Sequence, residues 1–475
     1  MSSNQSLIDT WHEALRAVYA GGRFIAVGGS VAVLTETVLQ LRMVGARDIL
    51  VIASSQGTGP TLEPGMAELL VLNTHGDNVQ SVSKNYEDAL LDLPPEVEQT
   101  VVRFDPDGSA RVIGLQLIGN VPAIMGRKPL GRRQPRWVEL EDKTKVDALW
   151  AHIAIPHAPS ITVPLELDAL RQAAHHIDSG AGTVWTADLS DGAHGGAVYV
   201  RWVRDDGELD RAFDFFQGIT RDVRVMPFLE GIPCSVHGVV ATQGVAIGRP
   251  VEIVTLRRPR GAFTCLGAST YWDPPPQERR AMRSIGRRVA QYLRENYEYL
   301  GAFSIDGIRT AQGFRPTELN LRTTFGLRLQ AESIEELPIG LLSLALHHRQ
   351  LAEIDMPRFE RVLLDFADGS RAALAGLSIP HEYRRAEPQA VPLVYEGGWK
   401  RAAQSQDPHA ELIIGPSEIG TFVGWSPNGP QAWLIGASIA QHSVDILDLA
   451  RREFDLPIGP LAAARDIGQC HTGLH

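Results

Sequence analysis

Three oxygen-bearing side chains in residues 301–326 have types and spacing that suit a divalent cation. Asp306 lies on one predicted strand, and Glu318 and Asn320 lie on the next. Residues two apart on a strand point to the same face, and a tight hairpin would place Asp306 beside them. Carboxylate and amide oxygens are the donors that Mg²⁺ prefers. The spacing therefore predicts a magnesium site, with an ordinary polar surface hairpin as the alternative.

Arg322 continues the alternation on the same predicted face as Asn320. A guanidinium there would neutralise a phosphate or a developing acyl phosphate. The two strands that must carry these groups are predicted at residues 302–309 and 315–321, joined by a turn at residues 311–313. The chemistry thus depends on one hairpin.

The composition is that of a globular protein. The chain has 475 residues, of which 44% are hydrophobic and 21% charged, so we expect two to four domains. The formal net charge of −11 argues against a general nucleic-acid-binding protein. The three cysteines, Cys234, Cys265 and Cys470, are too far apart to suggest a zinc pair or a disulfide framework. With no long apolar run and no signal-peptide pattern, we expect a soluble cytoplasmic protein with no membrane or nucleic-acid partner.

The first third of the sequence has an α/β pattern. Residues 23–29 form an apolar run that ends in glycines, residues 35–43 have helical spacing, and residues 48–53 form a second apolar run. Strand, helix and strand in this order predict a βαβ unit with a parallel sheet. The turn at residues 28–30 is either structural or a phosphate site, although it lacks the full GxGxxG pattern.

The rest of the chain mixes helices and strands. The principal predicted strands cover residues 153–156, 183–188, 197–203, 223–228, 234–242, 361–366 and 411–414, and the principal helices cover 143–152, 165–177, 206–217, 278–297, 340–350 and 438–454. The basic stretch at residues 127–136 is interpreted either as an exposed linker or as a lip for an anion. From residue 334 onward there is no chemical motif, which favours an accessory domain that closes over the site or forms an oligomer interface.

The run Asp306…Glu318-x-Asn320-x-Arg322 resembles the closing signature of ATP-grasp enzymes. In that family an aspartate on one strand and Glu-x-Asn on its neighbour hold the magnesium ions that bridge the phosphates of ATP, and an arginine often follows. The resemblance implies ATP and Mg²⁺ as cofactors.

Three upstream segments resemble the same family in the expected order. Lys143, before a predicted helix, resembles the first phosphate-contacting lysine, and residues 191–196 resemble the glycine-rich loop over the phosphates. Residues 226–231 resemble the hinge that holds adenine. The implied nucleotide-binding residues are Lys143, Gly192, His194, Gly195, Gly196, Met226, Phe228, Leu229 and Glu230. For His194, a solvated loop position is the alternative.

The sequence departs from the family pattern at two places. Residues 183–188 lack the usual second lysine, so another cation would have to meet the phosphates; the candidates are Arg201, Arg257 and Arg258. Pro233 stands where many members carry an acidic ribose contact, for which Glu230 is a substitute. A non-catalytic nucleotide-binding scaffold is therefore kept as an alternative.

The resemblance implies a mixed α/β fold of three parts. These are a Rossmann-like pre-ATP-grasp domain at residues 1–140, an ATP-grasp region at 141–333 and a C-terminal accessory domain at 334–475. This layout resembles pheganomycin-type peptide ligases.

The reaction implied by the resemblance is amide-bond formation. An amino acid-like carboxylate would be activated as an acyl phosphate and then joined to the amine of a peptide, with Arg322 and Arg309 offsetting charge and ADP and phosphate released. A role in peptide natural-product (antibiotic) biosynthesis and a homodimeric assembly are part of this expectation. Another ATP-grasp ligase or a carboxylase of small-molecule metabolism is the alternative.

Overall fold

The computed structural model of the chain describes most of its 475 residues. The described residues are 3–114, 121–131, 133–188, 197–332, 334, 337–351, 354–383, 387–429 and 431–465. Within them the chain is mixed α/β, as expected from the sequence.

The first 130 residues fold around a parallel sheet flanked by helices. In sheet order its strands are β3 (Glu68–Val71), β2 (Asp48–Ala53), β1 (Arg23–Val27), β4 (Arg111–Gly114) and β5 (Pro129–Leu130). Its helices are α1 (Ser3–Tyr19), α2 (Val31–Met43), α3 (Val79–Leu91) and α4 (Pro95–Phe104). The central strands β1 and β2 are almost wholly buried, which explains their unbroken apolar sequences. The predicted βαβ unit is confirmed.

The turn between β1 and α2 is closed by backbone contacts. The amide of Val31 donates to the carbonyl of Ser55 at 2.9 Å, and the amide of Ala32 donates to the carbonyl of Gln56 at 3.3 Å. Because these helix-terminal N–H groups already have partners, the turn fits the structural interpretation rather than a phosphate site.

A small antiparallel sheet follows, in the order β6 (Ile161–Pro164), β9 (Asp222–Pro227), β7 (Thr183–Thr186) and β8 (Val200–Val203). Its associated helices are α5 (Pro135–Val138), α6 (Val146–His152), α7 (Leu167–Ile177) and α8 (Asp206–Phe216), with a 3-10 helix at Glu139–Glu141. The strand predicted at residues 153–156 is wrong. Ala154 has φ 51°, and the amide of Ile155 turns back to the carbonyl of Trp150 at 2.8 Å, so this segment ends α6 and the strand begins later.

The largest sheet of the described chain is antiparallel. It runs in the order β14 (Gly313–Asn320), β13 (Gly301–Thr310), β10 (Ile232–Ala241), β11 (Gly244–Arg257), β12 (Phe263–Ser269), β15 (Ala373–Ile379), β19 (Gly420–Pro427), β18 (Ala410–Ser417), β16 (Gln389–Tyr395) and β17 (Trp399–Arg401). Its helices are α9 (Pro276–Tyr297), α10 (Phe325–Ala331), α11 (Ile339–His347), α12 (Met356–Gly369) and α13 (Ala440–Phe454), with 3-10 helices at Pro259–Gly261 and Ala432–Leu434. Pairing of β12 with β15 makes the last third of the chain an extension of the central sheet.

The strand predicted at residues 361–366 is also wrong, because this segment lies within α12. The side chain of Asp355 accepts the backbone N–H of Arg358 and caps the helix. Phe359, Val362 and Leu363 of α12 are buried, and their three- and four-residue spacing is that of one helix face. The run at residues 361–366 was assigned as a strand because it was considered without the neighbouring residues, whose buried positions show the helical spacing.

Among the described residues, no helix combines the length and the apolar character needed to cross a bilayer.

Candidate active site

The hairpin of β13 and β14 brings the three predicted metal-binding residues together. Asp306 pairs in register with Glu318, and Ser304 pairs with Asn320. The side-chain amide of Asn320 donates to Oδ2 of Asp306 at 3.0 Å. The predicted strands and their tight turn are therefore observed, and the two carboxylates and the amide lie on one face.

The electrostatics of this group fit a bound cation. Burial, followed by the nearby charge of Glu318, raises the pKa of Asp306 to about 6, although the hydroxyl of Ser235 donates a hydrogen bond to it. Oδ1 of Asn320 is buried and has no hydrogen-bond partner among the described residues. Two neighbouring carboxylates and an amide oxygen without a hydrogen-bond partner are oxygen ligands that suit Mg²⁺. The described chain has no group of three or more His, Cys, Asp or Glu that could hold a metal, so the case for a cation here depends on two carboxylates and one amide oxygen.

Lys143 lies directly against this group. Its ammonium nitrogen is 3.2 Å from Oε1 of Glu318 and 3.3 Å from Oδ1 of Asp188. Asp188 also accepts the backbone N–H of Lys143 at 2.7 Å. Burial alone would lower the pKa of Lys143, but the carboxylates of Glu318 and Asp188 raise it above its usual value, so the side chain is a fixed cation.

A cavity of about 310 Å³ contains these groups, a volume typical of small-ligand sites. Its polar side is formed by Lys143, Arg224, Asp306, Glu318, Asn320 and Arg322. Its apolar side is formed by Val184, Met226, Pro227, Phe228, Leu229, Ile253 and Phe263. The lining thus includes groups that suit an anion with a metal and groups that suit a flat apolar ligand, with Arg257 as a further cation among them.

Three of the four predicted adenine-binding hinge residues line the cavity, and the fourth, Glu230, does not. Met226, Phe228 and Leu229 line the cavity. Phe228 is backed by Trp202, with ring centroids 4.0 Å apart and an interplanar angle of 14°. Glu230 does not line the cavity, because its carboxylate pairs with Arg257 and accepts the backbone N–H of Arg465. The ribose contact expected from Glu230 is therefore not favoured by its position.

The two predicted catalytic arginines lie in different places. Arg322 lines the cavity and donates to Oε2 of Glu141 at 2.6 Å. Arg309 is on the opposite face of β13, where Nε and Nη2 each lie 2.7 Å from a carboxylate oxygen of Glu278 on α9. Adjacent residues of a strand alternate faces, so Ile308 lines the cavity and Arg309 does not. Arg309 therefore lies away from the cavity lining, and its catalytic role stays a prediction.

Thr186 ends β7, the strand in which the sequence lacks the expected second lysine. Its buried Oγ1 has no hydrogen-bond partner within the described residues, and its side chain lines the cavity. The cross-strand neighbour of Thr186 is Arg224, which is fully buried and also lines the cavity. Arg224 was missed from sequence because its partners, Asp147 and the carbonyl of Thr317, are remote in the chain.

The three suggested replacement cations have different positions. Arg257 lines the cavity, with its charge paired to Glu230. Arg201 packs on the ring of Phe215, with the guanidinium carbon 3.4 Å from the ring centroid, and burial lowers its pKa to about 10. Neither Arg201 nor Arg258 is among the described residues that line the cavity.

The predicted glycine-rich loop is not part of the described chain. Gly192, His194, Gly195 and Gly196 fall between residues 188 and 197 and lie outside the described residues. Their assignment remains a prediction.

The basic stretch at residues 127–136 is dispersed into separate ion pairs. Arg127 pairs with Asp105, and Arg136 lies 3.0 Å from Glu298. Arg133 pairs with Glu141. This arrangement supports the interpretation as a connecting segment; among its described residues, Arg133 shares the carboxylate that also pairs with the cavity-lining Arg322.

The end of the described chain returns to the cavity, which sequence patterns did not indicate. Ala462 and Arg257 exchange backbone hydrogen bonds of 3.0 and 2.8 Å. Ala464 then lines the cavity beside the hinge. A short backbone pairing of this kind has no sequence signal.

Comparison with known proteins identifies the fold. The sequence matches no family model and no curated protein. The structure is similar to the biotin carboxylase domain of the 2-oxoglutarate carboxylase of Hydrogenobacter thermophilus, a dimer in complex with MgADP and bicarbonate. The TM-score is 0.55 at 12% identity, with 93% of this chain and 91% of that chain covered.

Two other solved structures give the same result. For the biotin carboxylase of Campylobacter jejuni, in a β,γ-ATP complex, the TM-score is 0.56 at 10% identity, covering 89% of this chain and 90% of that one. For the carboxyaminoimidazole ribonucleotide synthase of Aspergillus clavatus, complexed with ATP, the TM-score is 0.52 at 12% identity, covering 91% and 99%. These neighbours are ATP-grasp enzymes, and the chain has the ATP-grasp fold.

Proposed function

We propose that this protein is an ATP-dependent carboxylate–amine ligase that works through an acyl phosphate and releases ADP and phosphate. The observation that carries the proposal is the convergence of Lys143, Asp306, Glu318, Asn320 and Arg322 on the polar side of one cavity. The hinge residues form its apolar side. This division matches a nucleotide, which has a flat base at one end and a charged phosphate chain at the other.

The apolar side is suited to a purine base. Met226, Phe228 and Leu229 come from the end of β9 and the segment after it, and the stacked ring of Trp202 supports Phe228 from behind. Structural neighbours solved in complex with MgADP or ATP support a nucleotide as the ligand. The base would lie at the hinge and the phosphates would extend toward β14.

The polar side is suited to phosphate and magnesium. Asp306, Glu318 and Asn320 would hold Mg²⁺, which when bound would neutralise charge on phosphate oxygens. Lys143 adds a fixed ammonium next to Glu318. Arg322 places a second cation on the cavity wall. Charge compensation and positioning are the main contributions that a protein makes to phosphoryl transfer.

The reaction needs no covalent attachment to the protein. A carboxylate oxygen of the acid attacks the γ-phosphorus, and the bond to the bridging oxygen breaks as ADP leaves. The amine then attacks the carbonyl carbon of the acyl phosphate, phosphate departs, and the amine loses a proton to give an amide. The described residues would hold the two reactants in line and offset the negative charge.

The finer part of the proposal concerns the substrates. We propose that the acid is amino acid-like and that the amine belongs to a peptide, as in peptide natural-product biosynthesis. Support comes from the order of the sequence segments and from the three-part layout that resembles pheganomycin-type ligases. The alternative with structural support is a carboxylase, since neighbours with TM-scores above 0.5 include biotin carboxylases.

The test is an assay of ADP and phosphate release from Mg-ATP with mass spectrometry of the products. The purified chain would be offered the twenty L-amino acids with short peptides and, in a separate reaction, bicarbonate. We expect ADP release that needs both an acid and an amine, with a product whose mass equals condensation. Release that needs bicarbonate alone would replace the ligase by a carboxylase. AMP release would contradict the acyl phosphate, and tight Mg-ATP binding without any turnover would favour the non-catalytic scaffold.

A further inference from the structure

One buried carboxylate lies behind the arginine on the cavity wall. Glu141 is 1% exposed and ends the 3-10 helix two residues before Lys143. Its Oε1 accepts the backbone N–H of Leu321 at 2.6 Å, and its Oε2 accepts Nη1 of Arg322 at 2.6 Å. Arg133 pairs with the same Oε2. Three segments thus meet at one side chain: the 3-10 helix that ends at Glu141, the end of β14 with Leu321 and Arg322, and the segment that carries Arg133.

The ionisation of Glu141 is secured by these partners. Burial alone would raise its pKa, but the positive charges of Arg322 and Arg133 and their hydrogen bonds lower it below the usual range. A buried carboxylate without such partners would be strongly destabilising. The pairing therefore has to form whenever this region is folded.

The two bonds of Glu141 to consecutive residues restrict the end of β14. The bond to Leu321 fixes the main chain immediately after Asn320, and the bond to Arg322 fixes the direction of its side chain. A long arginine side chain otherwise has many rotamers, and ordering it costs conformational entropy. Glu141 makes that ordering part of folding, so the guanidinium is in place before a ligand arrives.

The charge count also bears on function. Two guanidinium groups share one carboxylate, so the group of Arg133, Glu141 and Arg322 by itself has one positive charge in excess. Arg133 comes from the connecting segment at residues 127–136, which otherwise forms separate ion pairs. A positive site at this position would favour the negative charge that develops during phosphoryl transfer.

We propose that Glu141 is the positioning residue that orients Arg322 toward the transferred phosphoryl group. Arg133 is the second cation that pairs with the Glu141 carboxylate. The inference rests on the proposed function, because it assigns Arg322 to a phosphoryl group in this cavity. It adds a residue outside the cavity wall whose proposed effect on the phosphoryl group passes through Arg322.

The test compares the affinity for MgADP with and without aluminium fluoride, which mimics the transferred phosphoryl group. Binding would be measured with labelled ADP in the presence of the twenty L-amino acids, for wild type, Glu141→Gln, Arg322→Gln and the double variant. Glu278→Gln is the control, because Glu278 pairs with Arg309 on the other face of the same hairpin; its side chain is 30% exposed, whereas that of Glu141 is 1% exposed. The thermal unfolding of each variant would be recorded alongside.

We expect aluminium fluoride to tighten MgADP binding to wild type and to Glu278→Gln. Glu141→Gln should bind MgADP within about twofold of wild type but lose about tenfold or more of the aluminium fluoride gain, as expected for a charge-assisted contact. Arg322→Gln should lose a similar factor, and the double variant should lose no more than either single variant, because one residue acts through the other.

The possible failures are distinguishable. Wild type that does not bind MgADP would overturn the proposed function itself. Wild type that binds MgADP but gains nothing from aluminium fluoride, or Glu141→Gln with an unchanged gain, would overturn the positioning role, as would additive losses in the double variant. If Glu141→Gln does not fold, Glu141→Asp keeps the charge but shortens its reach, and it should show the same selective loss.

Discussion

The ammonium nitrogen of Lys143 lies 3.2 Å from Oε1 of Glu318, so the proposed phosphate-binding lysine and a proposed magnesium-binding carboxylate are in direct contact. Asp188 holds the same ammonium from the other side at 3.3 Å. This contact joins the segment before α6 to β14, and it places the cation and the carboxylate of the site within one hydrogen-bonded group.

Loss of the lysine charge should weaken nucleotide binding. We expect Lys143→Met to reduce the affinity for Mg-ATP about tenfold or more, because one charge-assisted contact to phosphate is removed. Lys145→Met is the matched control, since the side chain of Lys145 is 61% exposed and pairs only with Asp142 among the contacts of the described chain. Isothermal titration with Mg-ATP measures both. Equal loss in the two variants would contradict the assignment of Lys143.

The crowding of Asp306 predicts a pH dependence of stability in metal-free protein. The pKa of Asp306 in the folded state is raised to about 6, above its ordinary value of 3.8, so between these values the folded state binds more protons than the unfolded state. The contribution of Asp306 to the free energy of unfolding should therefore fall as pH rises through this window.

Asp306→Asn should remove this part of the slope, because an amide does not titrate. Urea unfolding between pH 4 and pH 7 in the presence of a chelator would measure it, and saturating Mg²⁺ should reduce the slope in wild type. An identical slope in wild type and Asp306→Asn would show that Asp306 is not a carboxylate with a raised pKa.

The buried pair of Arg224 and Asp147 should matter for stability. The side chain of Arg224 is fully buried, and its Nε and Nη2 lie 2.6 and 2.5 Å from the carboxylate oxygens of Asp147. We expect Asp147→Asn to lower the free energy of unfolding by about 3 kcal/mol, since a buried guanidinium loses its counter-charge. Chemical denaturation would show this. A change below about 1 kcal/mol would mean that water or another group replaces Asp147.

The position of Arg309 away from the cavity lining gives a direct contrast with Arg322. Arg309→Gln should leave turnover within about twofold, because its partner Glu278 lies on α9 and not at the cavity. Arg322→Gln should lower kcat about a hundredfold, the size expected when one preorganised charge contact to a transition state is removed. Steady-state kinetics with the acid and amine found in the product screen would decide this. Comparable losses would return Arg309 to the site.

The hairpin could be predicted because its information is local. Asp306, Glu318 and Asn320 lie within one strand–turn–strand unit, where alternation alone sets the face of each side chain. The same rule correctly applied would have excluded Arg309, which is an odd number of positions from Asp306. The apolar runs of β1 and β2 were likewise sufficient to predict these strands. A strand that is covered on both faces has a continuous apolar sequence, which can be recognised without knowing its partners.

Other parts of the site depend on contacts that sequence patterns do not contain. Glu141 and Arg224 each bond to residues far along the chain, and only the folded structure places Arg224 on the cavity wall and Glu141 behind it. The return of Ala464 to the hinge depends on backbone pairing, which carries no residue preference. The strand predicted at residues 361–366 failed because a short apolar run fits both helix and strand.

The proposed acyl phosphate can be tested most directly by following oxygen. The protein would be incubated with Mg-ATP, short peptides and the twenty L-amino acids labelled with ¹⁸O in their carboxylates, and the released phosphate would be analysed by mass spectrometry. Because a carboxylate oxygen becomes the bridge of the acyl phosphate and leaves with phosphorus, we predict one ¹⁸O atom in each phosphate formed, together with ADP. Turnover that gives unlabelled phosphate, or AMP and pyrophosphate, would contradict the acyl-phosphate ligase.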